Sequence, residues 1–429
     1  MGQEIFEELL GRLEGIGREV PDGRRWGYDQ KYEIKDALKS AFGVFFFQHP
    51  SMLQFQRAMQ EKRKRNNVTT ILKVAEIPSD TQIKTLIDNI EPAGFDTVFS
   101  GNLGIADKHG IIDKYRVLDD GVLIALDGVW YHSSENIHCK HCLHKEIDGK
   151  VMYYHSIVAG TIVKPGDGAV LPVMPEMITN EDGSEKQDCE INATKRWLKK
   201  HGKEYKWLKA TLLGDDLFSN YPMCMAVLEQ GMSFIFTCKP KSHPWLTETI
   251  TNSYLDELSV KNWKGKNHHV GTYKWLNGVE IRDDKKTLLV NYLYLEIKNK
   301  ETGKVGYKNG WVTNKTITKE NCVSLAAFGR ARWKIENEHN NVLKNHGYNL
   351  EHNFGHGKNH ASEIFCLLNL LSFQFHTILG LVDEGYQSAR ASISRRDEFF
   401  NHLRAALRYG LHDNWQQFII FVRHGPPDG

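Results

Sequence analysis

Two short apolar runs that break on aspartate constrain this chain more than anything else in it. Residues 117–128, VLDDGVLIALDG, have the apolar density of a buried strand and stop at Asp127-Gly128. Residues 207–216, WLKATLLGDD, stop in the same way at Asp215-Asp216. Each run predicts a strand that ends on an acid. Between them stand two further strand candidates, VMYYHSIVAGTIV and GAVLPVMPE, joined by the turn residues Pro165 to Gly168. A helix follows in CEINATKRWLKKHG, where Ala193, Trp197 and Leu198 fall at helical spacing and Gly202 closes the segment. After Asp216 come a helix over residues 219–230 and a strand in GMSFIFTCK. The order is β-β-β-α-β-α-β, which predicts an α/β fold built on a mixed α+β sheet.

The flanks differ in character. Residues 1–115 read as helices separated by polar joints, with Ser79 or Asp80 as an N-cap in IPSDTQIKTLIDNI. Residues 245–316 alternate aromatic and β-branched residues with polar ones between Gly, Asn and Asp turns, and predict a β-rich insertion. A long helical stretch over 321–345 and a second one over 360–382, apolar nearly all round and so buried, complete a core over 116–244 and 317–385. Residues 386–429 form a polar, basic C-terminal tail that closes on PPDG. At 429 residues the chain exceeds one ordinary core, and two or three units are expected.

Charge does little to narrow the function, since 55 basic and 53 acidic side chains leave a net +2. The most basic short run, Lys62 to Arg65, either contacts phosphates or forms a solvated face. Seven cysteines without an N-terminal apolar signal segment argue against a secreted disulfide framework, and a cytoplasmic compartment is expected. Ala41 to Phe47 is far shorter than the roughly 20 residues a bilayer requires, so no membrane partner is expected.

Asp127 and Asp215 at strand ends, with Glu336 on the helix over 321–345, make a donor set for hard divalent cations. Two such ions about 4 Å apart assist in-line attack at phosphorus, provided that rigid neighbouring elements hold the carboxylates. Taken singly, each acid reads as well as a turn residue or a solvated helix residue. Asp216 adjoins Asp215, and one of the two suffices as a ligand. Arg332, one helical turn before Glu336, is placed to orient its carboxylate or to hold a phosphate.

The stretch RARWKIENEHNNVLKNHGYNLEHNFGHG, together with LIALDGVWYHSS, LLGDDLFSNYP and KQDCEINATKRWL, resembles the signature of bacterial insertion-sequence DDE transposases. In that family a ribonuclease-H-like core carries a β-strand insertion between the second Asp and the Glu. The matching stretches span about residues 117–360. The resemblance implies a DNA transposase that cleaves transposon ends and transfers strands into target DNA, with two Mg²⁺ (or Mn²⁺) ions held by Asp127, Asp215 and Glu336. It also implies DNA as partner, a homodimer in the synaptic complex, and Arg332 and Lys344 as phosphate ligands. Two departures stand out: Gly329 occupies the place of the signature Tyr, and Leu343 that of the signature Lys, with Lys344 one step later. A metal-dependent nuclease using the same triad, a domesticated DNA-binding protein without catalysis and a zinc-dependent interaction module are the rival readings.

Other candidates are local. Lys239, Lys241 and His243 in CKPKSHPW suit phosphate contacts. Among the insertion's aromatics Trp275 is a candidate platform for an unpaired base, the alternative being that it packs the insertion's own core. Cys139 and Cys142 form half of a tetrahedral zinc site or a metal-free pair of thiols, with Cys189, His155 and His144 as candidates for the missing ligands. His352, His356 and His360 recur every four residues, but Gly355 and Gly357 predict a loop and a structural or phosphate-contacting role rather than another metal site. No Gly-rich segment is followed by the Lys-Ser or Lys-Thr of an ATP-binding loop.

Overall fold

The computed structural model describes residues 2–20, 22, 24, 31–59, 66–117, 120–179, 189–282 and 288–425. Lys62 to Arg65 and the PPDG terminus lie outside them. Seven helices open the chain: α1 (Gly2–Glu19), α2 (Ile34–Phe46), α3 (Met52–Met59), α4 (Asn67–Ile71), α5 (Asp80–Ile87), α6 (Phe95–Lys108) and α7 (Ile111–Tyr115). Ser79 caps α5: its hydroxyl accepts from the Gln82 N–H, and the Gln82 side chain accepts from the Ser79 N–H in return.

A ten-stranded mixed sheet follows. β1 (Leu123–Ser134), β2 (Leu143–Ile147), β3 (Lys150–Val163) and β4 (Leu171–Ile178) form an antiparallel group; α8 (Glu190–His201), β5 (Thr211–Gly214), α9 (Tyr221–Glu229) and β6 (Ser233–Thr237) add two parallel strands. β2 is an additional hairpin strand absent from the expected order. After α10 (Pro244–Thr251), the strands β7 (Asp256–Lys261), β8 (His269–Glu280), β9 (Leu289–Asn299) and β10 (Val305–Thr313) confirm the β-rich reading of this segment. They extend the same sheet, because β10 pairs with β6, giving the order β2-β3-β1-β5-β6-β10-β9-β8-β7 with β4 on β3.

The chain then forms α11 (Cys322–Ala331), a π-helical turn over Ile335–Asn340, α12 (Asn341–Asn345) and α13 (Ala361–Val382). α13 is long and apolar enough to cross a membrane, yet 89% of its most apolar window is buried within the protein. Its Gln374 amide donates to Pro172 O and its Oε1 accepts from Asn102, which joins the helical layer to the sheet through buried hydrogen bonds.

The segment expected to be a polar tail instead folds into α14 (Glu384–Ser392), α15 (Arg396–Tyr409) and α16 (Trp415–His424). Phe399, Phe400, Leu403, Trp415 and Phe418 are buried at helical spacing, a stripe diluted by surrounding charge in the sequence. Trp415 stacks on Phe6 of α1 with ring centroids 4.4 Å apart. One hydrophobic core therefore runs from α1 to α16.

Candidate functional site

β1 and β5 run in parallel, with Ala125 opposite Leu213. That pairing ends two residues short of both Asp127 and Asp215. Asp215 follows the last residue of β5, as expected. Asp127 does not end its strand: β1 continues to Ser134 on its antiparallel partner β3, and Asp127 marks where β5 leaves its other side.

The π-helical turn carries Glu336 and Asn340 to this place. Asn340 Nδ2 donates to Asp127 Oδ2 at 3.3 Å, while the Arg332 guanidinium lies 4.0 Å from Asp127 and 2.5 Å from Glu336. A π turn inside a helix is rare and commonly marks a functional position. Burial pushes the Asp127 carboxyl up to about 7, against the pull of Arg332, and the nearby charges of Glu336, Glu190 and Asp215 add to the rise. The three predicted acids are thus electrostatic neighbours on separate elements.

Glu190 is the acid that sequence reasoning missed. It opens α8 and packs against Gly128, where an added Cβ would stand 2.0 Å from its Oε1. Burial, then Asp215, raises its carboxyl above the ordinary range. An acid in the first turn of a helix ordinarily reads as a partner of the helix dipole, which hides such a role.

Asp216 is committed elsewhere. It accepts from the Lys239 N–H at 2.6 Å and from the Ser242 hydroxyl, and lies 3.4 Å from His243. Asp215 is the one whose charge is felt at Asp127 and Glu190, and Asp216 anchors the loop that displays the exposed Lys239 and Lys241. Lys344 lines a groove of about 440 Å³ with Glu336, Gly128 and Trp130, and pairs with Glu351 at 2.6 Å. Leu343 is fully buried. Trp275 corrects an expectation: only 5% exposed, it packs within the sheet's own core and has no free face for a base.

A second cluster joins Cys139, Cys142, His155 and His356, whose donor atoms all lie within 4.8 Å of one another. Cys189 is exposed at the N-cap of α8, and His144 rests beside the Tyr153 ring, so neither belongs to it. The loop predicted around Gly355 and Gly357 is observed, and His356 on it turns inward to the cysteines. His360 instead contacts Glu363 at 2.9 Å, and His352 is exposed. The pairing of residues 214 positions apart had no local signal in the sequence.

Compared with known proteins, the chain matches no protein-family model and no curated protein sequence.

Proposed function

We propose that the chain is a DNA transposase of the DDE class, with a ribonuclease-H-like core in which Asp127, Asp215 and Glu336 hold divalent cations. One observation carries the reading: three carboxylates far apart in sequence feel one another's charge, and burial first, then that repulsion, drives Asp127 up to about 7. The strands β7–β10, lying between the second Asp and the Glu, agree with the insertion expected from the resemblance.

The donor set fits Mg²⁺ or Mn²⁺, since it offers carboxylate oxygens and like charge that a cation relieves. When bound, a pair of such ions supplies activation of the attacking oxygen and stabilisation of the leaving one. The chain's own residues do the positioning. Arg332 draws Glu336 toward Asp127, Asn340 fixes the Asp127 carboxylate, and Lys344, Lys239 and Lys241 offer cations to the DNA backbone. DNA ends and target are the partners, and synapsis of two ends favours a homodimer on DNA.

The test is incubation of the full chain with duplexes carrying the DNA that flanks its own coding region, in Mg²⁺, Mn²⁺ or chelator. Metal-dependent nicks at the ends and products joined to target DNA are expected. Asp127→Asn, Asp215→Asn and Glu336→Gln should each lose at least about a thousandfold in rate while still binding DNA. Undiminished cleavage by Asp127→Asn sinks the proposal, and hydrolysis without joined products reassigns the chain as a nuclease.

A further inference from the structure

We infer that Cys139, Cys142, His155 and His356 form a structural zinc site that fastens the β2–β3 hairpin to the loop before α13. Zinc at about 2.3 Å from sulfur and 2.0–2.1 Å from nitrogen places tetrahedral donors roughly 3.8 Å apart between sulfurs and roughly 3.5 Å apart between sulfur and nitrogen. Four of the six donor separations follow that figure, and all six lie within 4.8 Å. Cys139 Sγ and Cys142 Sγ are 3.9 Å apart, His155 Nε2 is 3.4 Å from each sulfur, and His356 Nε2 is 3.5 Å from Cys142 Sγ. A single hydrogen-bonded thiol pair needs no such convergence, whereas four donors around a common centre require it.

The surroundings suit thiolates. The Cys139 N–H points at Cys142 Sγ at 3.4 Å, and the Cys142 N–H donates to Cys139 O at 3.2 Å, which closes a tight turn around the pair. Cys142, His155 and His356 are buried. His132 lies beside the His356 ring, but its Nε2 faces the Ile137 carbonyl at 3.3 Å and it stays outside the ligand set. Two thiolates and two neutral imidazoles balance one Zn²⁺, so no further charge is required. A two-iron cluster is excluded by size, since it spreads its cysteines and histidines over separate irons while these donors share one centre.

Four protein donors leave no open coordination position, so the role is architectural. The loop bearing His356 is already held at its far end, where the Asp88 carboxylate accepts from the N–H groups of Lys358, Asn359 and Ala361 at 3.0 Å. The metal would hold its near side to β3, beside the end of β1. His132 stands five residues beyond Asp127, roughly 17 Å along the strand, so this centre is separate from the carboxylates.

Elemental analysis of the full chain, purified from zinc-supplemented medium, should find about one zinc per chain. Cys142→Ser and His356→Ala should each fall to about a tenth of that, while Cys189→Ser keeps it. Because a ligand variant can lose the fold with the metal, a second measurement uses wild-type chain refolded with Co²⁺. It should show the intense visible bands of a tetrahedral ion and a sulfur-to-cobalt charge-transfer band. Zinc near zero in folded wild-type protein, a weak octahedral cobalt spectrum, or a Cys139–Cys142 disulfide in the purified chain overturns the assignment. No DNA enters these measurements, so they stand or fall apart from the transposase reading.

Discussion

A carboxyl raised to about 7 costs stability wherever it must ionise. Asp127 has a higher affinity for its proton in the folded chain than the ordinary value of 3.8 allows when unfolded. Folded molecules therefore hold more protons between those two values, and the stability tied to this group, full below about 4, is lost as pH rises through about 7. With chelator at pH 8, Asp127→Asn should be more stable than the parent by on the order of 2 kcal/mol, a gap that closes toward pH 4. Mg²⁺ should raise the melting temperature of the parent and leave the variant unchanged. Calorimetry across that pH range checks both, and a variant that melts below the parent at pH 8 removes the crowding argument. Arg332→Ala takes away a cation beside both Asp127 and Glu336, and should lower the parent's metal-free stability at pH 8 by about 1–3 kcal/mol in urea titrations.

At the level of elements, the contact of α11 with β10 leaves no room for a side chain at position 329. A Cβ at Gly329 would stand 2.5 Å from Nε1 of Trp311, a side chain only 1% exposed. Gly329→Ala should cost about 1–3 kcal/mol, and Gly329→Tyr should unfold this contact. Chemical denaturation measures the first; a Tyr variant as stable as the parent would show that the helix has room to move. β1 carries a similar lesson. Its apolar run was readable, but its end was not, because Trp130, His132 and Ser133 look like loop residues until β3 pairs with them. An acid in mid-strand becomes accessible where one neighbouring strand departs, and no single segment encodes that departure.

Over the whole molecule, the two chain termini close on each other. Buried Asn67 donates to the carbonyls of Leu407 and Gly410, both at 2.7 Å, and accepts from the His412 N–H at 2.9 Å. Asn67→Ala strands three backbone groups and should destabilise by about 2–4 kcal/mol in thermal or urea unfolding. Ending the chain at residue 385 exposes the α1 face covered by Trp415 and should abolish cooperative unfolding. A soluble, cooperative truncate would show instead that the last helices are accessory.

Local pattern by itself determined a good deal here. Apolar runs, turn residues and helical spacing depend on a few neighbouring positions, and they specified most strands of the sheet though not β2 or β7, the cap on α5, the buried α13 and the three acids worth testing. Tertiary structure alone decided that Glu190 joins those acids, that Trp275 is core, that residues 384–424 are helices packed on α1, and that His356 rather than Cys189 meets the cysteines. The division has a physical cause: side-chain spacing is written along the chain, whereas which distant surfaces meet follows from how all the apolar faces are buried together.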